Sequence, residues 1–287
     1  MSTSESTSLK AEKKFKWGEL GKHAYLWFVL FFAFYPLFLM FVVSLKDNLQ
    51  YERNPWFFDA PDTWKLSNWE KAWDLVSIYL ANSIVTTIPA VLFSLVMVVL
   101  TSYVLARYRF PGRAFVYYGI VASMFLPGTA ATLVTLFALL EKLSLINSLW
   151  ALIIVGATGG QVVGIFILKQ FLEDIPKELF EAAEMDGAGH FQQIITIVLP
   201  MSGSVIATVS IMKFLNIWNN VMLPLVILRD DEKLTIPVGL LRLEGEYVKQ
   251  WGEMMAAYSI ASLPLIVLFI FTMRLFVKGL AAGAVKG

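Results

Sequence analysis

The sequence has no cysteine and only two histidines, His23 and His190. The first absence excludes a disulfide framework and any thiolate site. The second leaves no imidazole set for a metal centre, and no His-Glu-x-x-His pair occurs, so no metal site is expected. A phosphate cradle is also missing. The one Gly-Lys pair, Gly21-Lys22, is followed by His23 rather than by the Ser or Thr of a P-loop. No Gly-x-Ser-x-Gly nucleophile turn is present. Charge is scarce as well: 16% of the 287 residues are charged and the net charge is +1, where soluble domains carry roughly 25% charged residues. Basic residues gather only beside apolar runs, so a nucleic-acid partner is excluded. These absences together argue against an enzyme.

What the chain has is apolar length. Hydrophobic residues make up 57% of it and fall in continuous blocks of about twenty, enough helix to cross a core roughly 30 Å thick. The runs do not alternate, which excludes a membrane β-barrel. The expected fold class is all-α: a polytopic membrane protein with six transmembrane helices, at 24–45, 80–106, 114–140, 148–168, 201–228 and 254–277. The first run is too long for a signal peptide and no small-residue cleavage site follows it.

Lys and Arg near the runs set the orientation. Lys10, Lys13, Lys14, Lys16 and Lys22 precede the first run, Arg107, Arg109 and Arg113 follow the second, and Arg274, Lys278 and Lys286 lie at the C-terminal end. These segments alternate correctly to share one side, taken as cytoplasmic with both termini. The expected organisation is a cytoplasmic tail at 1–23, a first span at 24–45, an extracytoplasmic segment at 46–79, a membrane core at 80–277 and a cytoplasmic tail at 278–287. The first 20 residues, rich in Ser, Thr, Lys and Glu, read as disordered. The outer segment holds Tyr51, Trp56, Phe57, Phe58, Trp64, Trp69 and Trp73. Such aromatics suit an interfacial belt or a lid, or stacking on a sugar.

The inner loop at 169–199 is unusual, with Lys169 and Lys177 set against six acids. Its residues read as helix, turn, helix. Pro176 suits a helix start, acids suit the first turns, and Gly187 and Gly189 end the first helix. The elbow suits docking into a groove on a cytosolic partner; a plain interfacial hairpin is the alternative.

Glu181-Ala182-Ala183, Asp186-Gly187-Ala188 and Leu199-Pro200 resemble the EAA motif of ABC importer permeases. Leu80-Ala81-Asn82-Ser83-Ile84 resembles the opening of the permease core. Trp218-Asn219-Asn220 with Pro224-Leu225, and the ending Gly279–Gly287, resemble MalG-like permeases of carbohydrate-uptake ABC importers. The likeness spans about residues 25–287. It implies a type I importer (MetI-like) permease fold in a bacterial cytoplasmic membrane. It implies a second, MalF-like permease subunit, two cytosolic ABC ATPase subunits that hold ATP and Mg, and an extracytoplasmic solute-binding protein that delivers a sugar. This chain would hold no cofactor, and Glu181 through Ala188, with Leu199 and Pro200, would form the ATPase-coupling surface, Gly187 being its turn.

Polar groups inside the runs are candidates for the solute path. Lys213, Asn216 and Asn220 share one helix face by their spacing, with Asn219 beside them. Asn219 and Asn220 read equally as path lining or as interhelical hydrogen bonds. The stem of Lys213 is long enough to reach the interface. Gln161 stands among Gly156, Gly159, Gly160 and Gly164, whose smallness suits close packing. Asn82 and Pro89 in the second run, and Pro127-Gly128-Thr129 in the third, are candidate hinges. An importer of a non-sugar solute and a stand-alone secondary transporter are the alternative functions. The latter needs an intramembrane ion site, and no Asp or Glu lies in the six runs.

Overall fold

The computed structural model describes residues 17–126, 130–245 and 250–284, with side chains for 21–126, 131–245 and 250–273. The described residues form helices and turns without a strand. Helices α1 (Trp17–Ser44), α2 (Asn48–Arg53) and α3 (Ser67–Arg107) come first. Then follow α4 (Arg113–Ala122), α5 (Ala130–Lys142), α6 (Leu149–Thr158) and α7 (Val162–Glu173). The elbow comprises α8 (Lys177–Met185), α9 (His190–Gln193), a π turn at Ile194–Val198 and α10 (Leu199–Met201). Last come α11 (Gly203–Trp218), α12 (Met222–Ile227), α13 (Ile236–Glu244) and α14 (Trp251–Ala284).

Four segments are long and apolar enough to cross a membrane: Gly21–Ser44, Ser67–Arg107, Gly203–Ile227 and Trp251–Met273. The α6–α7 pair makes a fifth, bent by 41° at its break. In place of the third apolar run stand two shorter helices, α4 and α5. The expected kink at Pro127-Gly128-Thr129 between them lies outside the described residues.

Several boundaries differ from the sequence reading. Helix α1 starts at Trp17, inside the stretch read as disordered. Helix α3 begins at Ser67 rather than 80 and runs for 41 residues, about 60 Å at 1.5 Å per residue, twice the hydrocarbon thickness. Its extra turns are held by packing: Ala72 and Val76 are fully buried against Ile236 and Leu240 of α13 and Ala256, Ala257, Ile260 and Ala261 of α14. Helix α13 lies between the fifth and sixth apolar runs, where no helix was expected, and its other face sends Val238 into a second cluster with Leu140, Leu152, Leu223 and Ile227. A third cluster joins α3 (Val98, Val99, Tyr103), α7 (Ile165, Leu168, Leu172) and the elbow (Phe180, Ile194, Val198). Helix α14 continues to Ala284, so residues 279–284 of the terminal motif lie within it.

Glycines allow the tightest crossings. A methyl group on Gly164 would stand 2.8 Å from Val209 Cγ1 and 3.3 Å from Val98 Cγ2. One on Gly239 would overlap the Tyr79 ring, and one on Gly252 would overlap the Lys46 carbonyl and the Asn68 amide. That last contact is a junction. Asn68 Nδ2 donates to Ser44 O (2.9 Å) and Lys46 O (2.8 Å), closing the C-terminus of α1. The buried Lys46 ammonium pairs with Asp59 at 2.6 Å. Asp47 caps α2, and the Gln50 N–H it accepts holds its carboxyl below the usual range.

Of the outer aromatics, Trp69 is anchored by its Nε1 donating to Ser44 Oγ (3.1 Å), and Tyr51 stacks on Trp251 with centroids 5.0 Å apart. Trp56 and Phe57 remain exposed.

Gly164→Val is expected to destabilise the bundle by about 1–3 kcal/mol, because the added carbons meet two β-branched side chains in a filled crossing. Thermal melting of the detergent-solubilised chain beside wild type measures it.

Candidate functional site

Two features stand out: the elbow, and a cavity of mixed polar and apolar lining between broken helices. In the elbow, α8 ends in a complete left-handed cap. Gly187 has φ +80°, its N–H donates to Glu184 O (3.0 Å), and the Ala188 N–H reaches back to Ala183 O (2.8 Å). These are the two bonds of a Schellman cap, so Gly187 is required by conformation.

The inner face of α8 is Phe180, buried beneath the Arg107 guanidinium, whose carbon lies 3.5 Å from the ring centroid. Arg107 Nη2 donates to Ile175 O (3.0 Å), tying the end of α3 to the start of the elbow. Tyr103 donates to Gln193 Oε1 at 2.7 Å, and Gln193, 1% exposed, donates to Glu184 (3.3 Å) and to Ala188 O (3.4 Å). Glu173 at the end of α7 takes both Arg113 (2.7 Å) and Lys169 (2.6 Å). Burial, and then Glu184, raise the Tyr108 phenol above its ordinary pKa.

The outer face is open. Glu181, Ala182, Asp186 and Gly187 are exposed, Ala183 and Ala188 half-buried, and Met185 is 89% exposed. Leu199 and Pro200 are exposed on the α10 side of the elbow. Most of the motif residues are therefore exposed, on an elbow bonded to α3 and packed in one apolar cluster with α7.

The cavity, of about 170 Å³, lies where two apolar runs are interrupted. The fourth run breaks between α6 and α7, with Gly160 at φ +61°. The fifth breaks between α11 and α12. The cavity's polar lining is Asn216 of α11, Asn220 at the second break and the hydroxyl residues Ser83, Thr86, Thr87 and Thr235; Gly159 and Gly160 line it from the first break, and Leu152, Val155, Ile217, Trp218 and Leu223 make the rest largely apolar. Thr235 Oγ1 is buried without a hydrogen-bond partner.

Each break is closed by a side chain. The Lys213 ammonium, 5% exposed as a residue, donates to Gly159 O. Gln161 Nε2 donates to Ala157 O, and Asn220 Oδ1 accepts the Leu223 N–H (3.2 Å). Lys213 therefore does not extend to the interface as its stem length suggested; the freed carbonyl at the break holds it inside.

The expected path residues separate. Asn216 and Asn220 line the cavity. Asn219 opens instead onto a second hollow with Tyr258 and Glu244. Asn82 donates to Glu232 O (2.7 Å) and Leu234 O (3.0 Å), fastening α3 to the loop before α13. Gln161 lies at the break but not in the cavity lining. Of the small residues, Gly156 and Gly164 serve close packing, whereas Gly159 and Gly160 form the break. Sequence reasoning missed Ser83, Thr86 and Thr87, although their spacing places them along one face of a helix.

Long apolar helices, two of them broken around a cavity that holds amides and hydroxyls, with an elbow at one end, fit a helical membrane permease. The chain belongs to the family of binding-protein-dependent transport system inner membrane components, whose family model matches residues 11–282. It is similar to the probable ABC transporter permease protein YurM of Bacillus subtilis, 30% identical over 279 residues covering 97% of this chain and 92% of that protein. It is similar also to the arabinooligosaccharides transport system permease protein AraQ of Halalkalibacterium halodurans, 32% identical over 265 residues, 91% of this chain and 94% of that protein. A third relative is the diacetylchitobiose uptake system permease protein DasC of Streptomyces coelicolor, 31% identical over 254 residues, 88% and 92% of the two chains. The fold matches a chain in the crystal structure of a bacterial ABC transporter involved in the import of the acidic polysaccharide alginate. The TM-score is 0.79 at 19% identity, over 92% of this chain and 99% of that one.

Lys213→Met is expected to leave Gly159 O without its donor and to destabilise the fold by about 1–3 kcal/mol. Thermal melting checks this, and Lys213→Arg, which keeps a donor, is expected to lose less.

Proposed function

We propose that this chain is one permease subunit of an ATP-driven importer for a sugar or oligo- or polysaccharide, working with a second permease subunit. An extracytoplasmic binding protein delivers the solute, and two cytosolic ATPases carry the ATP and Mg chemistry. In this reading the elbow lies on the cytoplasmic side with both termini, and Glu181 to Ala188, with Leu199 and Pro200, meet an ATPase. The observation that carries the proposal is the elbow: most of the motif residues are exposed, and the elbow behind them is bonded to α3 and shares a buried apolar cluster with α7.

ATP binding draws the ATPases together and pulls the elbow, and the helices rock as a body between two packed arrangements. ATP biases that equilibrium only through its different affinity for the two states. Asn216 and Asn220, with Ser83, Thr86 and Thr87, offer a sugar both donors and acceptors. The carbohydrate class is supported by relatives named for arabinooligosaccharides and diacetylchitobiose.

Gly187→Asp in the assembled complex is expected to abolish solute uptake and solute-stimulated ATPase activity together. The variant places a side chain at φ +80° on the exposed docking surface, at a local cost of about 1–2 kcal/mol. Normal uptake and normal stimulation would refute the coupling role. For the solute, a ligand screen on the cognate binding protein is expected to favour sugars; preference for amino acids or metals would overturn the carbohydrate class.

A further inference from the structure

The end of α3 carries a group that the coupling geometry does not use. Arg109, exposed between α3 and α4, makes no hydrogen bond or ion pair to the protein among the described residues. It lines two adjoining hollows. One is an apolar groove of about 400 Å³ walled by Leu100, Val104, Phe110, Phe191 and Ile194. The other is a polar cavity of about 660 Å³ beneath the elbow, lined by Arg107, Arg113 and Lys177 among others. Tyr103, Tyr108, Arg109 and His190 line both. A further apolar hollow shares Leu100, Val104 and Phe110 and adds Val116 of α4, extending the groove over the membrane-spanning surface of α3.

The charges are arranged unevenly along this feature. The apolar groove has no acid in its lining. The polar cavity sets Glu173, Glu181 and Glu184 against Arg107, Arg109, Arg113 and Lys177, with Glu173 paired to Arg113 and Lys169. Arg107 Nε is buried there without a partner. An apolar groove along a transmembrane helix that ends at the unpaired Arg109 guanidinium, with no acid in its lining, complements a molecule with an anionic head and hydrocarbon tails. Basic pockets beside transmembrane helices hold lipid phosphates in this way.

We propose that this groove is a binding site for an anionic phospholipid. An acyl chain lies along Leu100, Val104 and Phe110. The phosphate sits at Arg109, beside Tyr108, which lines the same groove. Because Tyr103 and His190 border the site and Tyr103 holds Gln193 of the elbow, a bound lipid braces the elbow against α3. The site requires only that this end of α3 lie at the bilayer surface, so it stands or falls separately from the sugar assignment.

The test is native mass spectrometry of the full-length chain in detergent, titrated with phosphatidylglycerol or phosphatidylcholine. The wild type is expected to retain phosphatidylglycerol in preference to phosphatidylcholine, and Arg109→Gln to lower that retention about fivefold, the value of one basic group at an anionic lipid surface. Val104→Trp, which fills the groove, is expected to lower it as well. A diazirine-bearing phosphatidylglycerol photocrosslinked to the wild type reads the site without any variant, and peptides covering 100–110 and 191–194 are expected to carry the label. Equal retention of the two lipids, unchanged retention in Arg109→Gln, or labelling confined to other peptides would overturn the proposal. So would displacement of the lipid by millimolar inorganic phosphate, which would make the site one for the free anion.

Discussion

Inside a bilayer no water is available to a freed backbone group, so every interruption of a spanning helix must be closed by the protein itself. This structure turns on one such closure, the Lys213 ammonium on the carbonyl of Gly159. The break between α6 and α7 frees carbonyls at the end of α6, where the helix dipole is negative. A buried cation is costly in such a place, but here it meets a concentrated partial negative charge and supplies the missing donor. The same device recurs with amides. Gln161 serves Ala157, Asn220 serves Leu223, Asn82 serves two carbonyls before α13, and Asn68 serves two at the end of α1. In each case a polar side chain replaces a neighbour that a regular helix would have provided.

That use of amides changes how the polar residues are read. Asparagines within an apolar run suggest a path for solute, yet two of the four asparagines nearest the polar cavity are engaged with backbone. Asn82 fastens a loop, and Asn220 caps α12 while bordering the cavity. The hydroxyls of α3 are drawn in likewise: Ser83 Oγ accepts the Ile236 N–H and Thr86 Oγ1 donates to Asn82 O, so the polar groups left in a largely apolar wall are few, Asn216, Thr87 and the unpartnered Thr235 among them.

The apolar runs were legible because bilayer thickness demands length and continuity, which need no knowledge of packing. The elbow was legible because Pro176, Gly187 and Gly189 each have a conformational meaning of their own. The first turns of α3 were not: Trp69, Ala72 and Val76 stand among charged residues, and their helix is stabilised by α13 and α14, distant in sequence. Helix α13 was missed for the same reason; it is short and depends on two clusters at once. The breaks were half legible. The glycines of the fourth run were evident, but packing glycines and hinge glycines look alike until their neighbours are known. Gly164 meets Val209, whereas Gly160 meets only Lys213 Nζ.

The arrangement also explains how an elbow and a cavity far apart along the chain can act together. Two uninterrupted rods join them. Helix α3 carries Thr87 at the cavity and Tyr103 and Arg107 at the elbow, and α7 runs from the Gly159–Gly160 break to Glu173 beside it. Pro89 removes one backbone hydrogen bond from α3 just past Thr87, and the glycine break begins α7 at the same cavity. The compliant points of both rods thus lie at the cavity, and their stiff, hydrogen-bonded ends lie at the elbow. A displacement applied to the elbow cannot be absorbed locally, because Tyr103 and Arg107 bond it to α3, and Leu168 and Leu172 of α7 share a buried cluster with its Phe180, Ile194 and Val198. It must be taken up where the rods yield, which is where the cavity stands.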